Sequence, residues 1–245
     1  MTIEDLEAAV LLSPGDGTAW RHLAEAYAAE GNHEVAAAAA AEAVRLEPGN
    51  ARHHHRLGLA HINSGRAGDA VGPLQEAIRL EPGHAEWLYA LGCALSRSGE
   101  NGAAIPPLRE ALRLDPDVRD GWNCLGHVLC DDGQFSEAVP VLEEAAWRKP
   151  EDANVWALLA WAYGAAGRPD DAAESLRVAW AAAAPDAGFH DSFGLAFEDA
   201  GRDRDAEAAY RALVRIDPHL HIGHYGLGCL ALRQERNEEG LAHLR

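Results

Sequence analysis

Small and apolar residues recur along the chain with a period of 34, counted from Gly17. Place seven of each stretch is Leu23, Leu57, Leu91, Leu125, Leu159, Phe193 and Leu227, and place eight is always Gly or Ala. Place fifteen is glycine from Gly31 through Gly65, Gly99, Gly133 and Gly167 to Gly201. Place twenty is alanine from Ala36 to Ala206, and place twenty-seven is Ala43, Ala77, Ala111, Ala145 and Ala179. A proline stands near each end: Pro48, Pro82, Pro116, Pro150, Pro185 (one place late) and Pro218.

The columns predict two helices per stretch. Apolar residues at places four, seven and eleven, such as Trp20, Leu23 and Tyr27, share one helical face. The glycine at place fifteen stops that helix by taking a left-handed backbone, and proline closes the second. Small residues at places eight, twenty and twenty-seven let the pair approach closely, and Asp16, Asn50, Asp152 and Asp186 stand where N-caps are needed. A pair this short cannot bury its apolar face alone, so the units must stack into a one-dimensional array. An irregular helical bundle is the runner-up.

The boundaries read 17–50, 51–84, 85–118, 119–152, 153–186 and 187–220, with an incomplete seventh unit at 221–245. Residues 1–16 fit a capping helix from Ile3 to Leu12, with Leu6 and Ala9 in its apolar and alanine places. In the seventh unit Glu235 replaces the glycine and Gly240 the alanine, which predicts that Leu227, Leu230 and Leu232 stay partly exposed or are covered by another chain. Pro73, Pro106, Pro107 and Pro140 fall inside second helices and should kink them or delay their start.

With an aromatic at Trp20, Trp122 and Trp156, Leu-Gly at 57–58, 91–92 and 125–126, then Ala, a large apolar residue, Ala and Pro, the chain resembles the tetratricopeptide repeat family from Gly17 to about Leu244. The resemblance implies an all-α, right-handed superhelical solenoid that binds proteins. It also implies that places two, five, nine and twelve of the first helices line a concave groove. The candidates on those places are Arg21, Arg52, His55 and Leu59, then Tyr89, Asp120, Asn123 and His127, and finally Trp161, Asp191 and Leu195. Leu59, Tyr89, Trp161 and Leu195 are apolar where core packing does not ask for it, and Arg21, Arg52 and His55 oppose Asp120, Asp191 and Glu198 in charge. The lysine–asparagine clamp with which some family members hold a peptide's C-terminal carboxylate has no counterpart, because these stripes contain no lysine.

Charge narrows the partners. With 21 basic and 39 acidic residues the net charge is −18, which disfavours nucleic acid and membrane surfaces and favours an apolar partner segment of basic character. The acidic N-terminus and the lack of a long apolar run point to a cytoplasmic protein, and four cysteines without a Cys-x-x-Cys point to reduced thiols. His53-His54-His55 and the cluster His219, His221 and His224 invite a metal, yet no carboxylate or cysteine completes either set, so no metal or cofactor is expected. No phosphate loop, His-Glu-x-x-His or Gly-x-Ser-x-Gly occurs, so an enzyme is not expected. Three roles remain: an adaptor holding a partner segment in the groove, a solenoid that self-associates through its C-terminal end, or the targeting arm of a larger enzyme.

Overall fold

The computed structural model describes residues 2–182, 203–216, 218–219 and 221–244. They fall into two compact units, Met1–Asp132 and Gly133–Arg245. The first holds α1 (Ile3–Leu12), α2 (Gly17–Ala29), α3 (His33–Leu46), α4 (Ala51–Asn63), α5 (Ala67–Leu80), α6 (Ala85–Arg97), α7 (Asn101–Leu114) and α8 (Gly121–Asp131). The second holds α9 (Phe135–Arg148), α10 (Ala153–Ala165), α11 (Pro169–Ala182), α12 (Asp203–Ile216), α13 (His221–Arg233) and α14 (Asn237–His243). No strand occurs among the described residues.

The local rules act where the pattern puts them. Gly31, Gly65, Gly99, Gly133 and Gly167 take φ values of 76° to 86°, the left-handed stop that a side chain resists. Asp16 Oδ1 accepts from the Thr18 and Ala19 amides at 2.9 and 3.2 Å, Asn50 Oδ1 from Arg52 at 3.2 Å, and Asp152 Oδ1 from Asn154 at 3.0 Å. Asp186 and Gly201 lie outside the described residues. One unit departs: α8 begins at Gly121, because Val118 turns inward to a buried position and Arg119 takes φ 38° before the helix can start.

A second contact explains the aromatic column. The ring N–H of Trp20 donates to the Pro14 carbonyl at 3.1 Å, Trp122 to Pro116 at 2.8 Å, and Trp156 to Pro150 at 2.9 Å. His54 Nε2 reaches the Pro48 carbonyl at 2.8 Å and His224 Nε2 the Pro218 carbonyl at 3.0 Å. Each bond ties the proline turn to the helix that follows it. The place is therefore polar at its tip as well as apolar in its body.

In the first unit α2, α4, α6 and α8 stand side by side, while α3, α5 and α7 pack chiefly against their flanking first helices. The alanines at places twenty and twenty-seven are buried at each interface. Leucines fill the space beside the place-eight glycines. A Cβ on Gly58 would lie 2.7 Å from Leu74 Cδ2, and one on Gly92 2.6 Å from Leu108 Cδ2. Those distances leave no room for a side chain.

Two expectations need correction, and of the kink or delay expected at the internal prolines the delay does not occur: α5, α7 and α9 run 14 residues, as the proline-free α3 does. The carbonyls they leave unpaired belong to Asp69, Gly102, Ala103 and Ser136, all exposed, so water can satisfy them. In the capping helix the buried pair is Leu6 and Val10 rather than Leu6 and Ala9, packed with Leu23 against Trp20 and Tyr27. At the other end Leu227 and Leu230 are buried within the chain, and only Leu232 is open, at 38% exposure. The cause is the close seat of α14: a Cβ on Gly240 would lie 3.1 Å from the Gly228 carbonyl, and Leu244 covers Gly228.

Two stability changes follow from these contacts. Gly92→Leu should cost about 1–3 kcal/mol by overpacking against Leu108, read as a lower urea midpoint; an unchanged midpoint would show the site to be roomier than described. Glu235 holds φ 60° in the place where other units have glycine. Glu235→Gly should therefore stabilise by about 0.5–1 kcal/mol, the relief of left-handed strain less the added freedom of the unfolded chain, seen as a raised thermal midpoint.

Candidate functional site

The first-helix row of the first unit carries most of the candidate residues. Arg52 is exposed, whereas Arg21, His55, Leu59, Tyr89, Asp120 and Asn123 are half-buried and His127 is exposed. In the second unit Trp161 projects from α10 with 47% of its surface exposed, and Phe135 meets its ring edge-on at 5.5 Å. Asp191 and Leu195, like Glu198, lie outside the described residues.

Two of the three acids expected to oppose Arg21, Arg52 and His55 lie outside the described residues, and within the first unit the charges of this row are paired locally. Arg21 is ion-paired with Glu25, which also accepts from Arg56 Nη2 at 2.8 Å. Glu86 pairs with Arg119 at 2.6 Å, and His127 Nδ1 lies 3.0 Å from Asp131. Asn123 Nδ2 donates to Asp120 Oδ2 at 2.8 Å. His55 adds no positive charge at neutral pH. It stacks on Trp87, with centroids 5.1 Å apart, and burial pushes its pKa down to about 4, helped by Arg56, Arg119 and His84. His84 covers another part of Trp87 at 4.0 Å. The row is thus a chain of local pairs around two apolar centres, Trp87 and Tyr89.

Sequence reasoning missed three participants. Arg119 occupies place one, outside the stripe, and enters through the late start of α8. Trp87 sits at place three and collects the two imidazoles. Cys124, at place six, brings its sulfur 3.6 Å from that of Cys93. The usable signal was a spacing of 31: Glu25 meets Arg56 across the same interval and the same two places.

The histidine triplet disperses as consecutive helical residues must. His53 is buried beside Glu47 at 3.0 Å, His54 binds the Pro48 carbonyl, and His55 joins Trp87. His224 Nδ1 faces His243 Nδ1 at 3.3 Å. Among the described residues no three His, Cys, Asp or Glu side chains gather as metal ligands, and no helix is long and apolar enough to cross a membrane.

Tetratricopeptide repeat profiles match residues 3–51, 55–118 and 192–245, and a second such profile matches 129–191. The chain belongs to the tetratricopeptide repeat family. As in that family, its fold is an all-helical repeat solenoid. Solved tetratricopeptide structures resemble it. YrrB, described as having an unusual peptide-binding site, is 17% identical with a TM-score of 0.65, covering 96% of this chain and 100% of its own. MamA from Desulfovibrio magneticus RS-1 is 23% identical with a TM-score of 0.63, covering 69% of this chain and 96% of its own. A tetratricopeptide protein from Parabacteroides merdae is 14% identical with a TM-score of 0.63, covering 98% and 91%. No curated protein matches the sequence.

The half-buried, neutral His55 has a consequence for acid stability. Below the ordinary pKa of about 6.5 the unfolded chain takes up a proton that the folded chain refuses, so stability falls as pH drops from there towards 4. In urea melts between pH 6.5 and 4.5, His55→Gln should flatten that decline. Equal slopes in the two proteins would show that His55 titrates normally. Glu47, Glu76 and Glu110, held below the usual carboxylate range by their hydrogen bonds, act only at lower pH.

Proposed function

We propose that this tetratricopeptide chain is a cytoplasmic protein-interaction scaffold whose first-helix surface holds a partner segment rich in apolar and basic residues. The observation that carries the reading is Trp161, a large ring on a first helix with nearly half its surface uncovered. Tyr89, half-buried at place five of α6, supplies a comparable ring in the first unit. Buried aromatics dominate interface energies, so rings left open on a rigid helix are natural anchors. The net charge of −18 supports a basic partner, since complementary charge speeds encounter and suppresses wrong partners. The peptide-binding site ascribed to YrrB agrees with this use of the fold.

Peptides selected from a displayed random library on the wild-type protein provide the probe. Calorimetric titration should give binding that Tyr89→Ala or Trp161→Ala weakens by about 2 kcal/mol, some thirtyfold, with little change in thermal midpoint. Raised salt should slow association. Full affinity in both variants, with loss in Trp147→Ala on the outer face of α9, would move the contact to the second helices and defeat the reading.

A further inference from the structure

The two sulfurs of Cys93 and Cys124 meet in the first unit between α6 and α8, 3.6 Å apart. Their meeting is a product of the repeat. Place nine of one first helix touches place six of the next, as Glu25 and Arg56 do two units earlier. Both thiols are partly accessible, whereas Cys130 on the same helix α8 is buried. A disulfide needs a sulfur separation of about 2.05 Å, so the pair has roughly 1.5 Å to close.

The surroundings make the two thiols unequal. Cys93 and Cys124 share a sulfur–sulfur hydrogen bond in which either can donate; that contact, the Tyr89 hydroxyl and the nearby Arg97 and Arg119 together outweigh burial and bring the Cys93 pKa down to about 7. Cys124 is pushed far upward by the same contact and by burial. One sulfur is thus a nucleophile at neutral pH and the other its proton-bearing partner. Cys130, with no such neighbours, is raised by burial to about 11.

We propose that Cys93 and Cys124 form a peroxide-responsive thiol pair in which Cys93 is oxidised by a hydroperoxide and Cys124 resolves it into an intramolecular disulfide joining α6 to α8. In the first step the Cys93 thiolate attacks the terminal oxygen of the hydroperoxide. An S–O bond forms, the O–O bond breaks, and the leaving alkoxide or hydroxide takes a proton; the sulfur is oxidised by two electrons and the peroxide reduced. The sulfenic acid carries no thiolate charge, so the charge and hydrogen bond that held the Cys124 proton are gone. Cys124 then loses its proton and attacks the Cys93 sulfur, the S–S bond forms, the S–O bond breaks, and hydroxide departs as water. A thiol reductant reverses the bond. The bond changes the partner of the Tyr89 hydroxyl, on a ring proposed above as an anchor, a consequence for binding that rests on that proposed function; the oxidation does not.

The test uses the full chain, reduced, freed of reductant, and titrated with hydrogen peroxide at neutral pH. Peptide mapping should recover Cys93 and Cys124 cross-linked within one molecule, with both thiols lost together and restored by dithiothreitol. In Cys124→Ser the reaction should stop at the sulfenic acid, and dimedone should label Cys93 at least roughly fivefold faster than the buried Cys130, whose thiol is raised to about 11. In Cys93→Ser neither the cross-link nor a dimedone adduct at Cys124 should form on that timescale. Circular dichroism of both serine variants checks that they fold. Oxidation of Cys130 as fast as Cys93, a cross-link between molecules instead of within one, or passage of Cys93 to sulfinic acid while Cys124 stays a free thiol would each overturn the proposal.

Discussion

The structure depends on how closely two helices of a pair can approach, and a missing side chain sets that distance. At Gly58, Gly92 and Gly228 the space a Cβ would fill belongs to a leucine sixteen residues on: Leu74, Leu108 and Leu244. Where the small residue is instead Ala24, its counterpart shrinks to Ala40, and both are buried in one cluster. At that pair the methyl added on one helix is met by a smaller side chain on the other, as dense packing demands. With the pair fixed at that distance, the buried alanines beside it follow, because nothing larger fits. The surface then inherits a regular row of first helices.

This explains what was legible in the chain and what was not. Steric columns repeat because every unit must solve the same packing problem, so periodicity exposed Gly31 as a stop, Asp16 and Asn50 as caps, and Ala36 as an interface residue. Surface side chains face no such repeated demand. Their partners lie on or just before neighbouring helices at offsets of 31 to 33 residues, as for Cys93 with Cys124, His55 with Trp87, and Glu86 with Arg119. An intra-unit column does not reveal an inter-unit pair. Nor did it reveal that Arg119 would arrive by a late helix start, which depends on how Val118 packs.

The acidic balance acquires a finer meaning from these pairs. Much of the arginine is committed locally: Arg45, Arg79 and Arg113 each bind a glutamate three residues earlier on a second helix. Such exposed pairs add little stability. They nevertheless hold cationic groups against their own helix, so the field a visitor meets is set by the acids left over. A net charge of −18 is then spread over surfaces that carry their own short-range neutralisation.

The bond between ring and proline carbonyl bears on how such sequences are compared. Trp20, His54, Trp122, Trp156 and His224 look like a hydrophobic column interrupted by two polar residues. All five nonetheless supply a ring N–H to the same kind of oxygen. An imidazole keeps a proton on Nε2 both as the matching neutral tautomer and as the cation, so exchanging indole for imidazole preserves this latch across the pH range. For this column tryptophan and histidine are synonyms. A comparison weighted by hydrophobicity scores them as opposites and so undercounts the repeats that such a chain contains.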